Sequence, residues 1–201
     1  MSAVVPSLDA AVLRVLAGTN APLSGAEIHR LSRRGSYAGV QKVLNRLCEQ
    51  GLARRQAAGR VGQFIGNRSH LAWPAVETLA TINTTLIKKI REQVGSWTVA
   101  PVAAYLYGSA ARGDGDTDSD IDIWLVRTEL NPAMQEMWDD QAFHLSVEIK
   151  DWTGNKASLL ESSIDDLPAM IAEGAPILNE LKRDAVALSG LTLNQLLRST
   201  R

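Results

Sequence analysis

Apolar positions recur with helical spacing through the first fifty residues. Residues 8, 12, 13, 15 and 16 are apolar and predict a helix from Leu8 to Leu16, which Thr19-Asn20-Ala21-Pro22 interrupts. Ser24, with Glu27 three residues on, predicts a capping box opening a short helix that runs to about Leu31. Arg33-Arg34-Gly35 makes a turn, and Ser36 caps a third helix over 37–50. That helix gathers Val40, Val43, Leu44 and Leu47 on one side and Gln41, Lys42, Asn45 and Arg46 over much of the rest, and Gly51 ends it. Two short extended segments follow, Leu52 to Arg55 and Val61 to Ile65, joined through a turn at Gly59.

From residue 71 the helical period returns at Leu71, Val76, Leu79, Ile82, Leu86, Ile87, Ile90 and Val94. Pro74 falls in the first turn, where a missing N–H costs nothing, so one long connector helix over 71–94 is expected. A strand over 101–107 then enters a Gly108-Ser109 turn, with a short helix starting at 110–112. Beyond a glycine-rich acidic loop at 113–118, a second strand covers 120–126. Asn131-Pro132 starts a helix over 132–152, ended by Thr153-Gly154-Asn155. A third strand is expected at 156–161, then helices at 164–173 and 176–188 and a short one from Thr192. The whole reads as α+β in two domains, 1–70 and 97–201, joined by a connector at 71–96.

The strand over 120–126 carries the most specific chemistry. Ile121, Ile123 and Leu125 point to one face, Asp120 and Asp122 to the other. Two carboxylates on one face are hard oxygen ligands suited to a divalent ion such as Mg²⁺ or Mn²⁺. The alternating aspartates at 114, 116, 118, 120 and 122 are not a calcium-binding helix-loop-helix. Counting from Asp114, its sixth and twelfth positions hold Ser119 and Leu125 instead of Gly and Glu. The histidines His29, His70 and His144 show no ligand spacing, so a zinc site has no support.

Charge separates the two halves. Residues 1–70 hold 10 Lys and Arg against 3 Asp and Glu, a balance of +7; residues 71–201 hold 11 against 19, a balance of −8, giving the overall −1. A basic first third and an acidic remainder imply different partners. The single cysteine, Cys48, forbids an internal disulfide and fits a reducing compartment. No signal peptide and no membrane-spanning run are visible, so the expected location is the cytoplasm, with no membrane partner.

The run Gly108-Ser109-x-x-Arg112-Gly113, followed after six residues by Asp120-x-Asp122, resembles the nucleotidyltransferase superfamily of polymerase-β type, nearest its minimal branch. The resemblance implies a small mixed sheet with packed helices. It also implies Mg²⁺-dependent transfer of a nucleoside monophosphate from an NTP, expected to be ATP, to an acceptor hydroxyl. Asp120 and Asp122 would be catalytic and metal-binding, and Gly108, Ser109 and Arg112 would hold the nucleotide. Arg112 has an alternative use, a salt bridge to a loop aspartate. Many members carry a third carboxylate on the next strand; its place by register is Ser158. Glu161 has the wrong parity for it, and Glu148 would serve only if 146–150 were a strand.

The first third, three helices and a hairpin, resembles the winged helix-turn-helix of bacterial regulators, carried by Val40, Leu44, Leu47, Gly51, Leu52 and Arg54. This implies binding of double-stranded DNA through Tyr37, Gln41, Lys42 and Asn45 on the third helix and Arg54, Arg55 and Arg60 on the wing. Two functions therefore compete. One is a nucleotidyltransferase acting on a protein, RNA or small-molecule acceptor, the protein case being a toxin–antitoxin partner on a separate chain. The other is a DNA-binding transcriptional regulator whose second domain senses nucleotide.

Overall fold

The computed structural model describes residues 7–58, 61–113, 115 and 118–199. The chain divides into two compact units, Met1–Asn83 and Thr84–Arg201.

In the first unit, α1 (Leu8–Ala17) buries Ala10, Ala11, Val12 and Leu16. The two-residue strand β1 (Leu23–Ser24) leads into α2 (Gly25–Ser32). The expected capping box is present: Glu27 N–H donates to Ser24 Oγ at 3.3 Å, and Ser24 N–H donates to Glu27 Oε2 at 2.8 Å. Helix α3 (Tyr37–Glu49) is capped by Ser36, whose hydroxyl accepts from Gly39 N–H at 3.1 Å. Strands β2 (Ala53–Ala58) and β3 (Val61–Gly66) pair antiparallel, and β1 adds to β3, giving the order β1-β3-β2. Val12, Leu16, Ile28, Val40, Leu44, Leu47 and Phe64 make the core, closed by Trp73. Trp73 packs against Gly66, where a Cβ would stand 2.1 Å from the indole ring.

The expected single helix over 71–94 is two helices, α4 (Trp73–Ala80) and α5 (Ile82–Gly95). Thr81 caps the first, and its hydroxyl donates back to the Glu77 carbonyl at 2.9 Å. A hydroxyl bonded to the preceding turn competes with the helical ladder. The apolar positions also serve two masters: Trp73 and Val76 pack in the first unit's core, Ile90 and Val94 in the second's.

The second unit is a four-stranded mixed sheet covered on both faces. Strand β4 (Ala103–Tyr107), helix α6 (Gly108–Arg112) and strand β5 (Ile121–Arg127) come first. Helix α7 (Pro132–Thr153) then returns the chain to β6 (Ala157–Ser163), parallel to β5. A 3₁₀ turn at Ile164–Asp166, α8 (Leu167–Ala172), α9 (Pro176–Asp184), β7 (Val186–Gly190) and α10 (Leu193–Ser199) complete it. The strand order is β6-β5-β4-β7.

β7 replaces part of an expected helix over 176–188. The helix stops because Ala185 turns to an extended backbone, ψ 130°. Leu188 then alternates into the core, and Gly190, at φ +72°, passes so close to β4 that a Cβ would sit 2.1 Å from the Val102 carbonyl oxygen. One face of the sheet packs Leu106, Ile123 and Leu125 against Trp138, Leu145 and Ile149 of α7 and Ile90 of α5. The other packs Tyr105, Trp124 and Val126 against Leu167, Leu178, Leu181 and Leu196 of α8–α10. Tyr105 and Trp124 stack at 5.8 Å, and Tyr105 Oη donates to the Leu191 carbonyl at 2.7 Å. Among the described residues no helix is long and apolar enough to cross a membrane.

Candidate functional site

β4 and β5 are antiparallel neighbours, and Tyr107 pairs with Asp122. This register places the end of β4, where the chain turns into α6, beside the start of β5. Gly108 takes φ +70°, and a Cβ there would lie 2.6 Å from Asp122 Oδ2. Glycine is needed twice at this point, for the left-handed backbone and for the carboxylate pressed against it. Ser109 follows, half-buried, with Gly115 returning so near that its Cβ would stand 3.2 Å from Ser109 Oγ. Gly108, Ser109 and Asp122 are therefore brought together.

Asp120 lies one residue before β5 and is exposed. Its approach is fixed by the buried Asn155, which donates from Nδ2 to the Ser119 carbonyl at 2.6 Å. Burial raises the Asp122 carboxyl above the usual carboxylate value, and the negative charges of Asp120 and Glu180 raise it further. A hydrogen bond from the Ser158 hydroxyl opposes them. Tyr107 is likewise pushed up by burial and then by Asp122 and Glu180.

Ser158 pairs with Asp122 across β5 and β6, at the position that register assigned to it. Glu161 faces the opposite side, where it accepts from Trp138 Nε1 at 2.8 Å. Glu148 belongs to α7, so 146–150 is not a strand; its Oε2 is buried without a hydrogen-bond partner among the described residues. Neither glutamate completes the pair. Among the described residues no group of three or more His, Cys, Asp and Glu side chains is placed to hold a metal ion. Two carboxylates suit Mg²⁺, which is commonly held by one or two carboxylates together with substrate phosphates and water. The raised Asp122 carboxyl is a group whose charge a bound cation would stabilise.

Arg112 ends α6 and turns to α9: its Nη1 donates to Asp184 Oδ2 at 2.6 Å. This salt bridge is to a helix residue of α9. Arg183 Nε reaches the same carboxylate oxygen at 2.8 Å. Burial would raise the Asp184 carboxyl, but the hydrogen bonds from Arg112 and Arg183 outweigh it and hold it below the ordinary value. Glu180 and Asp184 are the residues that sequence reasoning passed over. Their only signal was an i,i+4 acidic pair, which on its own marks nothing more than a polar helix face.

In the first unit, Lys42 and Asn45 are exposed on α3, and Tyr37 is 50% exposed at its start. Gln41 does not share that freedom: its amide lies against Gly25, where a Cβ would stand 1.8 Å from Nε2. Arg54 and Arg55 are both exposed on β2, but adjacent strand residues face opposite ways. Arg55 lies across Gly62 towards the Phe64 ring, 5.9 Å from its centroid. Arg60 lies outside the described residues.

Residues 87–175 match the family model described as Polymerase beta, Nucleotidyltransferase. No curated protein matches the chain. Among solved structures, a toxin-antitoxin with AMP-PNP aligns at 16% identity and TM-score 0.37, covering 57% of this chain and 82% of that one. A mutant form of the toxin-antitoxin MntA-HpeT aligns at 14% identity and TM-score 0.38, with the same coverages. A second mutant form aligns at 16% identity and TM-score 0.35, covering 56% and 80%. The family match spans β4, the Gly-Ser turn, the Asp-x-Asp strand and α7, and the chain therefore carries a nucleotidyltransferase domain of the polymerase-β type.

Proposed function

We propose that the second unit transfers a nucleoside monophosphate from an NTP, ATP in the first instance, to an acceptor hydroxyl. The observation that carries this is the Asp122 carboxylate seated against the Gly108 backbone at the mouth of the Gly-Ser turn. In this reading Asp120 and Asp122 hold Mg²⁺ or Mn²⁺, which when bound offsets the charge of the phosphates. The backbone around Gly108 and the Ser109 hydroxyl donate to phosphate oxygens, and orient the α-phosphorus towards the acceptor. The acceptor oxygen bonds to that phosphorus, pyrophosphate leaves, and the acceptor's proton is released. The acceptor is a partner protein, an RNA end or a small molecule.

The first unit is proposed to be a winged helix-turn-helix that binds double-stranded DNA. Its chain order of helix, short strand, two helices and hairpin supports this, as does its basic balance. Helix α3 would enter the major groove with Tyr37, Lys42 and Asn45, while one of Arg54 and Arg55, which face opposite ways on β2, meets phosphate. Gln41, held on Gly25, would brace α2 against α3 more than read bases.

A second reading has a specific observation behind it. Ser158 stands where the third carboxylate would be, which favours a nucleotide sensor attached to a DNA-binding regulator. Incubation of the protein with Mg²⁺, each α-labelled NTP and cell lysate separates the two, with Asp120→Ala/Asp122→Ala as control. Label transferred by the wild type alone supports the enzyme and marks its acceptor. Nucleotide binding without transfer supports the sensor.

A further inference from the structure

The Gly-Ser turn is carried by a helix too short to hold itself. Helix α6 has five residues and no side-chain N-cap hydrogen bond, and an isolated segment of that length is not stable. Its far end is tied down: Arg112 Nη1 donates at 2.6 Å to Asp184, whose side chain is 6% exposed. Arg183 Nη2 shares the carboxylate at 2.8 Å. We infer that Asp184 is a positioning residue: through Arg112 it fixes α6, and with it the Gly108–Ser109 turn, in register with Asp122. Nucleotide affinity then depends on α9, an element that the family match ending at residue 175 does not reach. This inference rests on the nucleotide site proposed above.

The rival use of Arg112, direct contact with the triphosphate, makes opposite demands. If Arg112 reached phosphate, Asp184 would be its competitor, and removing the carboxylate would leave binding unchanged or tighten it. If Asp184 positions the turn, Asp184→Asn weakens binding as Arg112→Ala does. The double variant then falls short of the sum of the two, because each single change already breaks the Arg112–Asp184 link. A misplacement on the ångström scale costs about 10²-fold.

The test is titration of a fluorescent ATP analogue with Mg²⁺ onto the full chain and the three variants, beside amide hydrogen exchange over residues 105–113. The expected result is a Kd raised at least about tenfold in Asp184→Asn, non-additivity in the double variant, and faster exchange of the α6 amides. Where transfer is measurable, KM for NTP rises far more than kcat at saturating NTP falls. Unchanged or tighter binding in Asp184→Asn overturns the inference, and so does additivity. If the wild type binds no nucleotide, the proposed function fails by itself. Exchange then decides the inference alone: unchanged protection of 105–113 in Asp184→Asn overturns it.

Discussion

Asp122 is the residue on which structure and chemistry pull against each other. Its carboxyl is raised by burial and by the neighbouring charges of Asp120 and Glu180. An acid whose folded value exceeds its unfolded one binds more protons when folded, so its charged form costs stability. That cost is absent below the unfolded value, grows as pH rises through the folded one, and is greatest above it. Asp122→Asn should therefore abolish transfer yet raise the thermal midpoint by about 2 °C at pH 7, with the gain fading in acid. Calorimetry at two pH values checks both sign and window. Added Mg²⁺ should raise the midpoint of the wild type and not of the variant; an equal shift in both would sink the metal assignment. The neighbourhood of Gly108, Ser109 and Asp122 was legible in the sequence, because strand alternation and a Gly-Ser turn are local patterns, while Asp120, expected on the strand, falls one residue before it. Asp184 was not, since its partner Arg112 lies 72 positions away and only the fold brings them together.

Among the elements, β7 differs most from the sequence expectation. Leu181 and Leu188 are a helical spacing apart, so the pattern through 176–188 extends α9 by periodicity alone. What stops the helix is tertiary: Leu188 gains burial on the sheet, and Gly190 allows a backbone approach to β4 that any side chain would block. Gly190→Ala must adopt φ +72° and clear a carbonyl oxygen at once. A loss of about 3 kcal/mol is expected, read from the urea midpoint. The helix α4–α5 break was missed for a similar reason, as a period of 3.6 cannot show that two stretches serve two cores. By contrast the capping box at Ser24 and Glu27 needs only four residues to form, and the sequence displayed it in full. On β2, Arg54 and Arg55 look like one basic pair in sequence. Opposite facing separates them, so Arg54→Ala and Arg55→Ala should weaken DNA binding unequally. Under the wing proposal the variant that loses a phosphate contact also loses about one unit of salt-dependence slope. Equal binding and equal slopes in both variants would remove the wing from the interface.

For the whole molecule the sequence showed two charge regimes, and the fold shows two separate cores. Under the proposed division of labour the two activities come apart. Asp120→Ala/Asp122→Ala should lose transfer with DNA affinity intact, and Lys42→Ala/Arg54→Ala the reverse, each checked by mobility shift and label transfer on the same preparations. Loss of both activities in either variant, with the fold retained, would mean that the units act as one.

The sheet order carries a consequence for how the chain is made. The first unit closes within its opening 83 residues. The central strand β4 is different: β5 reaches it early, but its other edge waits for β7, beyond α9. On the ribosome, where domains fold in order of emergence, the basic unit is complete while β4 still has a bare side. The Asp184 anchor of α6 likewise arrives only when residue 184 clears the exit tunnel. A nascent chain arrested between residues 130 and 180 should therefore present a folded first unit while the proposed nucleotide site still lacks its Asp184 anchor.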